Sequence, residues 1–303
     1  MAQAAPAPTV PVSGIDTIPK RPNVFLQFIR AQPLGFIGLL IIIVYFAFAF
    51  FAQWIAPYDP EAVDFGAMLS APSADHLFGT DQYGRDVFSR LVYGSRTALG
   101  VGIISALVGC TAGALVGAAS GYFGGRIDNV IQAIVDIMLS FPLIVLAMVI
   151  VAVLGKKSVF GIDMNLVAAI AIPMVPRMAR IARSSTLSIA QLPYIDAARA
   201  AGYSHFRIVV RHILPNIVAP YLIMTTAFIA QAILLEASLS FLGLGVTEPT
   251  PAWGLMLSGT SADFYKAAPW MILFPGLAIT LAVFAFNLLG DSLRDWLDPK
   301  MKG

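Results

Sequence analysis

Charge and cysteine are both scarce in this chain, and each shortage excludes a class of protein. Charged residues make up only 12% of the 303 residues, against 58% hydrophobic and a mean hydropathy of +0.80. That leaves too little polar surface to clothe a water-soluble globule of this size, so the chain reads as a polytopic membrane protein. The one cysteine, Cys110, lies inside an apolar run and rules out an intrachain disulfide. Histidine is limited to His76, His205 and His212, and the apolar runs place the first across the membrane from the other two. No histidine cluster for a catalytic metal is expected. Neither HExxH nor GxSxG occurs. Gly155-Lys156-Lys157-Ser158 hints at a phosphate loop, but the glycine needed five residues earlier is replaced by Ile150. The chain is therefore expected to bind no ATP, metal or other cofactor and to catalyse nothing itself.

What the chain has is long apolar stretches. Residues 1–30 form an Ala- and Pro-rich segment expected to be a disordered cytoplasmic tail, with no signal peptide. The first apolar run starts only near Leu34, after Lys20, Arg21 and Arg30, and is long enough to span. Six such runs follow, at about 34–56, 97–121, 129–154, 164–186, 216–241 and 269–290, making 31–303 one six-helix domain. An even number puts both termini on one side. With that side inside, Lys20, Arg21, Arg30, Arg126, Arg177, Arg180, Arg183, Arg199, Arg207, Arg211, Arg294, Lys300 and Lys302 all fall in the cytoplasm, most of the 19 Lys and Arg. This asymmetry predicts cytoplasmic termini, a periplasmic loop over 57–96 and a cytoplasmic loop over 187–215. Trp54, Trp253 and Trp270 then mark the outer interface and Trp296 the inner one. Basic residues beside spans follow from topology and do not suggest nucleic acid.

The cytoplasmic loop reads PYIDAARAAGYSHFRIVVRHILP from Pro193 to Pro215. Pro193 suits the first position of a helix, Asp196 the first turn, and Gly202 a C-terminal stop. The small residues Ala197, Ala198, Ala200 and Ala201 allow close approach of a neighbouring surface, while Ile195, Arg199 and Tyr203 project. Ser204 is placed to cap a further turn carrying Arg207 and Arg211. In the outer loop, Gly79 and Gly84 bracket a turn and a helix can start at Asp86, with Asp86 and Arg90 spaced as an ion pair.

Within the runs, Gly109, Gly113, Gly117 and Gly121 recur every four residues on one helix face, a pattern for close helix packing more than for a direct transport role. Asp136 shares a face with Gln132 and Ser140, and Glu236 with Ser240. Intramembrane carboxylates face a bundle interior or a water-filled cavity. These stripes either line a substrate path or gate, or hydrogen-bond a neighbouring helix.

Two stretches resemble a known family. Asp196-Ala197-Ala198, then Gly202, then Leu214-Pro215, is similar to the EAA loop of permease subunits in ABC importers, with Asp196 in place of the usual Glu and His212 in place of a frequent Ile. Gly79-Thr80-Asp81, followed by Gly84-Arg85-Asp86, resembles the GTDxxGRD signature of dipeptide, oligopeptide and nickel permeases. The resemblance covers about residue 25 to the end and also includes acids at Asp136 and Glu236. It implies an all-α integral membrane protein of the type I ABC importer permease fold, the C-type member of a heterodimeric pair. A coupling helix would carry Tyr194, Ile195, Asp196, Ala197, Ala198, Arg199, Ala201 and Gly202. It further implies import of di- or oligopeptides into a bacterium across the inner membrane by alternating access. The partners would be a second homologous permease, two ATPases holding ATP and Mg, a periplasmic or lipid-anchored binding protein, and membrane lipid. Alternatives are nickel, glutathione or a sugar as cargo, or a proton-coupled secondary transporter using Asp136 and Glu236; an intramembrane enzyme lacks any nucleophile and base pair.

Overall fold

The computed structural model describes residues 29, 31–155, 158, 159, 162–259, 263, 264 and 266–297. Lys20, Arg21, Arg30, Lys156, Lys157, Lys300, Lys302 and the 1–30 tail apart from Ile29 lie outside the described residues. Helix α1 (Pro33–Ile55) opens with proline at its first position, where a missing N–H costs nothing. Helix α2 (Val87–Phe123) is capped by Asp86, whose carboxylate accepts from Ser89 N at 2.8 Å. At 37 residues it is about 55 Å long, well beyond the hydrocarbon thickness, so its first turns project past the membrane and it starts ten residues before the apolar run. Gly124, at φ 63°, ends it.

The expected third span is corrected. Residues 129–154 do not form one rod but helices α3 (Gly125–Leu139) and α4 (Leu143–Leu154), bent by 93° at Ser140-Phe141-Pro142. Pro142 offers no N–H and disfavours helical geometry at Phe141, which is cause enough for the break. A two-residue antiparallel pair, Ser158–Val159 with Ile162–Asp163, then leads into α5 (Met164–Ala171) and α6 (Val175–Ala190). These two helices join through a 3₁₀ turn (Ile172–Met174) into one candidate span, Met164–Ala190. After helix α7 (Pro193–Ala200), helix α8 (His205–Ile208) runs through a π turn and a 3₁₀ turn around Pro215 into α9 (Val218–Phe241). Helix α10 (Trp253–Met256) and helix α11 (Trp270–Leu297) are the last described helices. Among the described residues, five helices are long and apolar enough to cross a membrane, or six if α3 and α4 count as one span.

The glycine row organises the bundle. Gly109, Gly113, Gly117 and Gly121 on α2 meet the backbone of Ala171, Val175, Ala179 and Arg183, so each step of four is matched across the contact and the two rods run in the same direction. A Cβ added at these glycines would lie 2.7, 2.6, 2.2 and 2.8 Å from the facing carbonyl oxygens. Backbones this close gain van der Waals attraction that lipid cannot offer. Trp253, expected at an interface, is instead fully buried, its Nε1 donating to Leu91 O at 2.9 Å and its ring 5.2 Å from Tyr45. An indole can be buried when its single donor finds a partner. Trp54, by contrast, is 70% exposed.

Candidate functional site

At the loop end of the bundle, Gly79-Thr80-Asp81 and Gly84-Arg85-Asp86 fold into a buried polar knot. Asp81 Oδ1 accepts from the backbone of Tyr83 and Arg85 at 2.8 and 2.9 Å, and its Oδ2 from Arg85 Nε at 2.6 Å. Gly79 and Gly84 have φ of 72° and 73°, and a Cβ on Gly84 would fall 1.7 Å from Asp64 O, so only glycine fits. Thr80 Oγ1 bonds Ala67 O, and Trp270 Nε1 donates to Thr80 O at 3.0 Å. The expected Asp86–Arg90 ion pair does not form. Asp86 is committed to capping α2 and to His76 Nδ1 at 3.0 Å, while Arg90 reaches Glu248 at 3.4 Å and the carbonyls of Pro60 and Pro249. Glu248 also pairs with Arg85 at 2.5 Å. Burial opposes the charge on Arg85, but its hydrogen bonds and attraction to Glu248 and Asp81 outweigh burial and hold its pKa above the ordinary guanidinium value. These groups border a cleft of about 270 Å³.

Glu248 joins two nearly buried arginines from a loop far away in sequence. Among the described residues, Glu248→Gln would leave Asp81 as the one carboxylate shared by Arg85 and Arg90. The expected loss is about 1 to 3 kcal/mol of stability, read as a lower unfolding temperature of the purified protein; an unchanged temperature would contradict this account of the knot.

At the opposite end, α7 has the expected start, with Pro193 at its first position and Asp196 in its first turn, paired with Arg199 at 3.2 Å. Its end is a Schellman turn: Tyr203 N donates to Ala198 O and Gly202 N to Arg199 O, with Gly202 at φ 77°. Ser204 caps α8 as expected. Two residues of the helix behave differently from the sequence reading. Ile195, expected to project, is fully buried, and Ala198 is 7% exposed; these two seat α7 on its own chain. Tyr194, Asp196, Ala197, Arg199, Ala201 and Gly202 form the exposed side. Beneath it, Tyr122 and His205 Nδ1 bond at 2.9 Å, and His212 stacks on Tyr203.

Along α3, the stripe of Gln132, Asp136 and Ser140 separates, with Asp136 and Ser140 exposed. Gln132 donates to Ser120 Oγ on α2 at 2.9 Å, Asp136 pairs with Arg180 on α6 at 2.5 Å, and Ser140 turns back to Ile137 O at the helix break. Asp128, which sequence reading passed over, is held by Arg183 and Ser120. Glu236 is fully buried and accepts from Ser240 Oγ at 2.7 Å; that hydroxyl also receives Val246 N, so the pair pins the turn after α9. Among the described residues, Glu236 Oε2 has no partner.

Residues 109–303 match the family described as the binding-protein-dependent transport system inner membrane component. The chain belongs to this family. Residues 24–72 of the permease match the N-terminal transmembrane domain of oligopeptide transport permease C. The permease is 44% identical over 274 residues to the dipeptide transport system permease protein DppC of Alkalihalophilus pseudofirmus, covering 90% of this chain and 88% of that protein. It is 43% identical over 277 residues to the glutathione transport system permease protein GsiD of Pectobacterium atrosepticum, covering 91% and 90%. A chain of the inward-facing MetNI methionine ABC transporter aligns with a TM-score of 0.52 at 19% identity, covering 70% of the permease and 97% of that chain. The expected all-α importer permease fold is therefore the fold observed.

One topological argument needs correction. Arg177, Arg180 and Arg183 of the permease, counted among the cytoplasmic residues, sit in α6 within the candidate span Met164–Ala190, engaged by Gln231, Asp136 and Asp128. The counter-charges of Arg180 and Arg183 lie 44 and 55 residues away on α3, beyond any local pattern.

Proposed function

We propose that the permease carries short peptides inward across a bacterial inner membrane, driven by ATP bound with Mg on two partner ATPases, with both termini in the cytoplasm. The observation that carries this is α7. It is a short helix anchored to its own chain by Ile195 and Ala198, sharply closed by Gly202, and leaving Asp196 and Ala197 exposed beside Tyr194, whose hydroxyl accepts from Asn216 at 3.3 Å, and Arg199, whose guanidinium lies 5.6 Å over the Tyr122 ring. A rigid lever with a small-residue face is suited to a groove on a moving partner. The polar knot at 79–86, on the opposite side, suits the face a substrate-loaded binding protein would meet. The dipeptide and glutathione relatives support cargo of that class. A second, homologous permease completes the path, to which Gln132, Asp136, Ser140, Glu236 and Ser240 remain the contributors proposed from sequence. A proton relay through Asp136 and Glu236 finds no support, since one is held by Arg180 and the other by Ser240 in separate places.

Orientation is the part of this reading most open to a direct test. A reporter active only outside the cytoplasmic membrane should work when fused near Ala62 and fail near Tyr203. Activity at Tyr203 would put α7 out of reach of any ATPase and overturn the proposal.

A further inference from the structure

The arginines of α6 are not equivalent. Arg183 is matched by Asp128 and Arg180 by Asp136, each at 2.5 Å. Arg177 has only a neutral partner: its Nη1 donates to Gln231 Oε1 on α9 at 3.1 Å, and among the described residues no carboxylate lies within 4.0 Å of it. Arg177 also stands midway along the Met164–Ala190 span, thirteen residues from either end, or about 20 Å along the axis. Gln231 stands near the middle of α9. Ala171 is level with Gly109 at the centre of the α2 apolar run, so Arg177 lies six residues, about 9 Å, from that level and inside the span.

A cation within a span is costly in lipid and is retained where it faces water or an anion. Next to it, the Asp136–Arg180 pair leaves both side chains more than half exposed on the isolated chain, at 60% and 55%. An ion pair so uncovered belongs to a wet face or to one covered by the second permease, and not to a lipid-facing one. Arg177, Arg180 and Asp136 together carry one net positive charge across α3 and α6, with Gln231 of α9 turned toward Arg177. What this face lacks is one negative charge.

We propose that Arg177 receives a carboxylate of the transported peptide, making it the specificity-determining cation of the path. The inference rests on the peptide-importer reading above and names the group of the cargo that this path reads. A free carboxylate is common to a dipeptide and to glutathione, so one such cation would serve both kinds of cargo. A guanidinium presents paired donors matched to the two oxygens of a carboxylate, which lysine does not.

The test uses the whole importer in liposomes, containing wild-type permease, Arg177→Gln or Arg177→Lys, with the same binding protein throughout. Uptake of labelled dialanine is compared with uptake of its C-terminal amide. Taking the acid-to-amide ratio for each permease cancels the preference of the binding protein. A charge-assisted hydrogen bond contributes about 1.5 to 3 kcal/mol, so the ratio should fall about tenfold or more in Arg177→Gln, with Arg177→Lys between the two. Co-purification of the second permease should be unchanged in both variants. Wild-type uptake with an unchanged ratio in Arg177→Gln overturns the assignment alone. Loss of the second permease from Arg177→Gln also overturns it, because the counter-charge then comes from that subunit. Absence of ATP-dependent uptake by the wild type overturns the peptide-importer reading and this assignment with it.

Discussion

Gly117→Leu should eliminate folded permease. At this position a Cβ would stand 2.2 Å from Ala179 O and 2.9 Å from its carbonyl carbon, so the obstacle is backbone and not the tip of a movable side chain. To admit even a methyl group, α2 must move away from the rod formed by α5 and α6. The neighbouring glycines at 109, 113 and 121 meet that rod just as closely, so the separation cannot be confined to one turn. Interiors are packed too densely to absorb such a shift, and overpacking costs up to about 3 kcal/mol or more where no side chain can yield. In lipid no hydrophobic drive would restore the contact. Gly276→Ala in α11 is the control, because nothing lies within 4 Å of a Cβ built there. The expected result is aggregated or degraded Gly117→Leu and normal yield of Gly276→Ala, read by size-exclusion chromatography of detergent extracts. Normal yield and unfolding temperature for Gly117→Leu would contradict the packing described for α2.

The features legible in the sequence are those set by neighbours in the chain. The four-residue spacing of glycines, Pro193 at the start of α7, Gly202 at its end and the Ser204 cap each depend on a handful of adjacent residues, and each is found as expected. What was not legible depends on contacts made across the fold. Glu248 lies 163 residues from Arg85, and nothing local marks it as the shared partner of two arginines. Asp86 was assigned to Arg90 by spacing, but capping an orphaned N–H and holding His76 use up its carboxylate. Ile195 looked like a projecting side chain because an eight-residue helix gives too short a pattern to tell its seated side from its free one. The break between α3 and α4 was marked locally by Pro142, but the length of the apolar run outweighed it in the reading.

Gly202→Val should disconnect transport from ATP hydrolysis without unfolding the permease. The residue holds φ 77°, a conformation that a β-branched side chain resists at a cost of about 1 to 3 kcal/mol. Its surroundings are open: no atom lies within 4 Å of an added Cβ, so the substitution strains the backbone without crowding a neighbour. Relief of that strain requires opening the Schellman turn, which frees Tyr203 N from Ala198 O and changes the direction in which α7 leaves the chain. Ile195 and Ala198 would still seat the helix, so the membrane-spanning bundle should remain intact. The side proposed to dock, with Tyr194, Asp196, Ala197 and Arg199, would be misaimed by the altered turn. The deciding measurement is ATP hydrolysis by the purified importer in liposomes, with and without loaded binding protein, alongside co-purification of the ATPases. The account predicts that wild-type hydrolysis rises when loaded binding protein is added, and that Gly202→Val either loses this rise or loses the ATPases. A stable Gly202→Val complex with the full wild-type response would contradict the role given to α7.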